Sequence, residues 1–196
     1  MKIVKKDVMD LDLSHLVDNI TREHHKHVIN NPAGKEHYKL LAYLTKIIND
    51  SIIVELGTHN GTSSLCLCEN ISNTVFTFDI RDIYTVKTQP NNLIRKIGNI
   101  FEMDPSILLE SKLIFLDTSH AGDFEKQIYL YLLENDYKGI LLIDDIFFNS
   151  QMIEFWNFIK IKKYDITDIG QGGNHSTPTG LCGTGLVDFS NNVEIV

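Results

Sequence analysis

The stretch Ser51-Ile-Ile-Val-Glu-Leu-Gly-Thr-His-Asn-Gly-Thr-Ser-Ser64 decides how the rest of the chain is arranged. It opens as an apolar run from Ile52 to Leu56, interrupted by the single acid Glu55. Two glycines follow at the spacing Gly57-x-x-x-Gly61, and small hydroxyl residues then lead into Leu65. The pattern predicts a buried strand, a tight turn and the start of a helix. Such a turn leaves free backbone N–H groups at a helix N-terminus.

The neighbouring carboxylate bears on the ligand. Glu55 would repel a pyrophosphate but not a ligand carrying amino groups and a sulfonium. The pattern Glu55-x-Gly57-x-x-x-Gly61 resembles the first motif of the class I S-adenosylmethionine-dependent methyltransferases. It also lacks the G-x-G-x-x-G spacing of dinucleotide-binding folds, which speaks against a nicotinamide dehydrogenase.

With 196 residues the chain suits one domain, and a hydrophobic fraction of 43% is enough for a full core. The N-terminus Met1-Lys-Ile-Val-Lys-Lys-Asp lacks an apolar signal-peptide region, and no apolar run is long enough to span a membrane. A cytoplasmic protein without membrane association is expected. The formal net charge of −8 argues against a nucleic-acid groove. Cys66, Cys68 and Cys182 have no zinc-site spacing and are expected to be reduced core residues.

Strands alternate with helices along most of the chain. Residues 1–32 are polar and irregular, with Val8, Leu11, Leu13 and Leu16 as apolar anchors. The segment Thr21-Arg-Glu-His-His-Lys-His27 is expected to be a solvated helix face, with metal binding as the alternative. Pro32 and Gly34 mark a break, and Leu40, Leu41, Leu44, Ile47 and Ile48 then recur at helical spacing. The helix after Gly61 is predicted to run to about Ser72. Strands are predicted over 52–56, 75–80, 93–97, 112–117, 139–145, 164–169 and 181–189. Helices are predicted over 105–111, 122–135 and 149–161, and a glycine-rich loop over 170–176. Nearly all-apolar strands between helices require a parallel sheet covered on both faces. Ligands sit at the carboxyl ends of such strands, where Glu55, Asp79, Asp117, Asp144 and Asp145 all fall. Five converging acids need cationic or hydrogen-bonding ligands.

Asp79, at the tip of the next strand and 24 positions after Glu55, is placed to accept both hydrogen bonds of a ribose diol. Asp117-Thr-Ser-His120 and Ile143-Asp144-Asp145 resemble the Asp-x-x-His and Asp-Asp elements of metal-dependent small-molecule O-methyltransferases, the macrocin O-methyltransferase-like group above all. Three carboxylates at two neighbouring strand tips make a hard oxygen site for Mg²⁺, Ca²⁺ or Mn²⁺, with magnesium the first choice. Without a cation, the pair Asp144-Asp145 would instead cap the following helix.

The resemblance covers about 51–147. It implies a Rossmann-like, doubly wound α/β fold with a seven-stranded, mostly parallel sheet whose final strand is antiparallel. It implies S-adenosylmethionine held by Glu55, Gly57, Thr58, His59, Gly61, Thr62, Ser63, Asp79, Asn99 and Asp117. Asp117, Asp144 and Asp145 would ligate the cation, and His120 would act as general base beside the catalytic Asp117. The partner would be a hydroxylated small molecule, a sugar or a catechol. Residues 1–32 would form a helical lid on a single methyltransferase domain, 1–196. A homo-oligomer is compatible with the sequence, and His175 would belong to a substrate loop or to solvent. Thr118-Ser119 departs from the Gly-Asp often found before the histidine, so His120 lacks an acidic neighbour in sequence.

Overall fold

The unbroken apolar runs follow from a sheet buried on both sides. In a strand, successive side chains point to opposite faces, and here they enter two separate cores. Ile53, Leu113, Phe115, Ile140 and Leu142 join one core, while Val54, Leu56, Ile114, Leu116, Leu141 and Ile143 join the other. The computed structural model describes residues 1–30, 37–170 and 182–196.

The chain begins with β1 (Lys2–Ile3), α1 (Lys5–Asp10), a 3₁₀ turn at Ser14–Asn19, α2 (Glu23–Val28) and α3 (Tyr38–Ile47). Next come β2 (Ile52–Leu56), α4 (Thr62–Leu67), β3 (Thr74–Asp79), β4 (Leu93–Ile97), α5 (Ser106–Glu110) and β5 (Ser111–Leu116). Then follow α6 (Asp123–Glu134), β6 (Ile140–Asp144), α7 (Ser150–Phe158), β7 (Lys163–Asp165), β8 (Thr184–Asp188) and β9 (Glu194–Ile195). The main sheet has seven strands in the order β4-β3-β2-β5-β6-β8-β7. All neighbours are parallel except β8, which runs antiparallel to β6 and β7. The expected architecture, antiparallel strand included, is present. Residues from α3, α4 and the N-terminal segment cover one face, and residues from α5, α6 and α7 cover the other.

Several boundaries differ from the sequence expectation. The helix after Gly61 stops at Leu67 rather than near Ser72. There Asn70 and Asn73 turn the chain and donate side-chain hydrogen bonds to the Ile48 carbonyl at 2.9 and 2.8 Å. Those bonds close the C-terminus of α3, and asparagine favours such local bonding over helix. The strand expected over 164–169 is only Lys163–Asp165, because Asp165 accepts the Thr167 N–H (3.1 Å) in a turn. A short parallel pair, Lys2 with Glu194 and Ile3 with Ile195, joins β1 to β9. Two-residue strands carry no periodicity, so the sequence held no signal for it. Pro32, Gly34, the 171–176 part of the glycine-rich loop, His175 and the start of the strand expected at 181 lie outside the described residues. Among the described residues, no helix is long and apolar enough to cross a membrane. The three cysteines are buried, with no disulfide among them.

The chain lays β2 at the centre of the sheet, builds outward through β3 to β4, then returns across β2 to place β5 and β6 on the other side. At that reversal the backbone of Gly57 passes against that of Asp117. A Cβ on Gly57 would lie 1.6 Å from the Asp117 carbonyl oxygen, and its φ of +106° is already left-handed. Gly57→Ala is therefore expected to lower stability by at least about 2 kcal/mol, read as a lower urea midpoint; an unchanged midpoint would contradict the close approach.

Candidate functional site

Glu55 sits behind the turn rather than in the open crevice. Its side chain is fully buried and accepts hydrogen bonds from the hydroxyls of Ser64 and Thr77. Burial pushes its carboxyl up to about 7, against the opposing pull of the Ser63, Ser64 and Thr77 hydroxyls. Its place is to tie β2, β3 and α4 together under the turn. Asn60 finishes the turn, because its side-chain oxygen accepts the Thr62 N–H (3.0 Å) and hydroxyl (2.9 Å) at the start of α4. Gly61 lies at φ +90°, where a Cβ would meet the Tyr84 ring at 2.2 Å.

In front of this turn, at the carboxyl ends of the strands, is a cavity of about 520 Å³. Gly57, His59, Asp79, Asn99 and Asp117 line it, together with apolar Leu56, Phe78 and Phe124. Its size and mixed lining suit a small organic ligand. Of the residues expected at the cofactor, Glu55, Thr58, Gly61, Thr62 and Ser63 are not in that lining; they build the turn behind it. Asp79 is held by backbone donors, with Oδ2 accepting from His59 N–H (2.7 Å) and Oδ1 from Arg81 N–H (2.9 Å).

Asp117 belongs both to this cavity and to a second feature, the acid cluster. Asp117, His120 and Asp144 each offer one ligand atom, all within 4.8 Å of one another. Asp145 stands outside that group, so the set gathered here replaces one expected carboxylate by the imidazole. Asp145 is adjacent nonetheless: the His120 Nε2 lies 3.4 Å from Asp117 Oδ1 and 3.6 Å from Asp145 Oδ2. Asp145 is largely buried, and its Oδ1 has no hydrogen-bond partner among the described residues. Burial works to lower the pKa of His120, but the hydrogen bond and charge of Asp117, with the charges of Asp144 and Asp145, prevail and raise it to about 9. Burial also raises both Asp144 and Asp145 above the usual carboxylate range. Crowded, partly buried carboxylates of this kind, with an imidazole beside them, fit a divalent cation.

The backbone around the cluster is held in unusual conformations. His59, His120 and Asp145 are three of the six non-glycine residues with left-handed φ among the described residues. Such strain costs about 1–3 kcal/mol per residue and gathers at functional sites. His120 is gripped from both sides: its N–H donates to Glu125 Oε1 at 3.0 Å, and its carbonyl accepts from Asn149 Nδ2 at 2.8 Å. Glu125 also accepts from the Thr118 hydroxyl (2.6 Å) and the Gly122 N–H (2.9 Å), fixing the whole loop after β5. Sequence reasoning missed Glu125, although its place three residues after Gly122 is a signal for a helix-start acid. It also missed His37, whose Nδ1 lies 3.4 Å from Asp144 Oδ1. Of the three clustered histidines, His25 is not simply solvated: its Nδ1 contacts the Tyr38 hydroxyl (2.9 Å) and the Thr62 hydroxyl (3.0 Å), while His24 and His27 are exposed.

No family model matches the sequence, and no curated protein matches it. Solved structures do. The O-methyltransferase TomG from Streptomyces achromogenes, in complex with SAM, aligns over 91% of this chain and 90% of its own, at 14% identity and a TM-score of 0.59. The fold is that of the class I methyltransferases. An O-methyltransferase from Bacillus cereus in complex with SAH aligns over 94% of this chain and 90% of its own, at 13% identity and a TM-score of 0.52. An rRNA methylase from Streptococcus thermophilus aligns over 76% of this chain and 93% of its own, at 13% identity and a TM-score of 0.51. At these identities the likeness carries the fold and leaves the acceptor open, since two of the three are described as O-methyltransferases and the third as an rRNA methylase.

Glu55 sets a pH dependence on stability. At low pH its carboxyl is protonated in both folded and unfolded states and carries no penalty. As pH rises from the ordinary value of 4.5 to about 7, the unfolded chain releases a proton that the folded protein keeps, so stability falls. Above that range the penalty is constant. Urea denaturation of wild type and Glu55→Gln should therefore show the variant gaining about 2 kcal/mol on wild type between pH 5 and pH 8. A difference that does not change with pH would contradict the buried, protonated carboxyl.

Proposed function

We propose that this chain is an S-adenosylmethionine-dependent O-methyltransferase acting on a hydroxyl of a small molecule, with a divalent cation, magnesium first, at the acid cluster. The observation that carries the proposal is the double membership of Asp117, which lines the cavity and belongs to the cluster with His120 and Asp144. A donor site and an acceptor-activating site then share one residue. The likeness to the TomG and Bacillus cereus O-methyltransferases supports it, and the net charge of −8 favours a small acceptor over a nucleic acid.

S-adenosylmethionine supplies a methyl group on positively charged sulfur, and a bound divalent cation supplies charge that lowers the pKa of a coordinated hydroxyl. The residues of the chain do the rest. Asp79, oriented by the His59 and Arg81 N–H groups, accepts the ribose hydroxyls. Gly57 leaves the crevice open beside Asp117, and Asn99 lines the same cavity on the expected adenine side. Asp117 and Asp144, with Asp145 beside them, hold the cation. His120, fixed through its backbone by Glu125 and Asn149, takes the acceptor proton at Nε2. Holding donor and acceptor in line is the main catalytic contribution and is worth up to about 7–11 kcal/mol. The N-terminal segment, which reaches the first turn through His25, serves as the substrate-side cover of a single domain.

A metal-independent methyltransferase is the second reading, favoured by one observation: His120 Nε2 lies 3.4 Å from Asp117 Oδ1 and 3.6 Å from Asp145 Oδ2, where an imidazolium can neutralise part of the cluster. Chelation separates the two. In a methyl-transfer assay over a panel of sugars and catechols, EDTA should abolish turnover and Mg²⁺ restore it. Full activity in EDTA would select the metal-independent enzyme.

Asp117→Asn should lower kcat/KM by at least about 100-fold, as for loss of a group acting in the transition state. Asp79→Ala should weaken S-adenosylhomocysteine binding about 10–100-fold, as expected for losing hydrogen bonds to a charged acceptor. Tight S-adenosylhomocysteine binding without turnover on any acceptor would point to a non-catalytic binding protein. Thermal stabilisation by NAD and not by S-adenosylhomocysteine would overturn the proposal.

A further inference from the structure

We infer that His37 is a positioning residue for the acid cluster, acting through Asp144 and not on the substrate. This rests on the cation site proposed above. His37 immediately precedes α3, which covers one face of the sheet, and reaches Asp144 at the tip of β6. Its Nδ1 lies 3.4 Å from Asp144 Oδ1, and both residues are about 5% exposed or less. The imidazole is set by two aromatic contacts, with ring centroids 4.9 Å from Phe115 on β5 and 5.2 Å from Tyr38.

Packing alone does not account for this choice of side chain. A leucine or phenylalanine could fill a site against Phe115 without the cost of desolvating a polar ring, and replacing buried polar pairs by apolar groups is often neutral or stabilising. The imidazole brings an N–H donor to one oxygen of a buried carboxylate. Asp144 offers an atom to the group formed with Asp117 and His120, whereas His37 is not in that group. His37 therefore stands behind Asp144, where a donor fixes the carboxylate's rotation about its own axis. Carboxylates that bind metals are commonly held by such a partner, and its removal costs about 10–100-fold in metal affinity. At 3.4 Å the contact is long for a hydrogen bond, and contacts of this kind often tighten only when the site is filled.

The test is calorimetric titration of Mn²⁺, a spectroscopically convenient substitute for Mg²⁺, into wild type, His37→Leu and His37→Asn, with S-adenosylhomocysteine titrated in parallel. His37→Leu keeps the apolar contact with Phe115 and removes the donor; His37→Asn keeps a donor near the position of Nδ1. Mn²⁺ affinity should fall about 10–100-fold in His37→Leu and return to within about threefold of wild type in His37→Asn. S-adenosylhomocysteine affinity should be unchanged in both, because neither variant touches the cavity. Wild-type Mn²⁺ affinity in His37→Leu would overturn the inference. So would an equal loss in both variants, which would make ring packing the cause. Absence of Mn²⁺ binding by wild type would remove the proposed cation site, and this inference with it.

Discussion

Two backbones touch at the centre of the sheet, and the site follows from that contact. Gly57, leaving β2, runs against the carbonyl of Asp117, leaving β5, with no space for a side chain between them. The chain can make that approach only at a glycine with left-handed φ. Because β2 is followed outward by β3 and β5 returns on its other side, the two strand ends diverge above the contact and open a crevice. The same contact fixes the height of Asp117, whose N–H donates to the Leu56 carbonyl at 2.9 Å. One acid is thereby delivered to the cavity wall and to the cluster next to it.

The cluster is costly, and the fold bears that cost locally. Three aspartates at two adjacent strand tips repel one another, and burial adds to the repulsion. His120 and His37 answer it from opposite sides, one from the loop after β5 and one from the start of α3. The left-handed backbone at His120 is sustained because Glu125 and Asn149 satisfy its N–H and carbonyl. A site meant only to be stable would have no use for this many strained and charged residues. Strain and charge concentrated beside an open cavity are what binding and catalysis require.

Much of the fold was legible in the sequence because each signal was strictly local. Apolar runs such as Leu141–Ile143 announce strands buried on both faces, and the acids after them mark the ligand edge. Gly57 and Gly61 announce the turn. Residues whose role depends on distant partners were not legible. Glu55 looks like a crevice acid in one dimension, yet the alternation of β2 turns it toward Ser64 and Thr77, under the turn. His37 precedes a helical pattern and carries no sign that it ends beside a residue more than a hundred positions away. The β1–β9 pair was invisible for the same reason.

The central claim is that one residue, Asp117, serves both a nucleoside cavity and a cation site. The most direct measurement is a crystal grown with S-adenosylhomocysteine and Mn²⁺, with data collected for the anomalous signal of manganese. The account predicts a single strong anomalous peak at Asp117 and Asp144, next to Asp145 and off the His120 Nε2, with the ribose on Asp79 and the cofactor sulfur facing Asp117. A cofactor bound away from Asp79, or a cluster without manganese beside a fully bound cofactor, would contradict it.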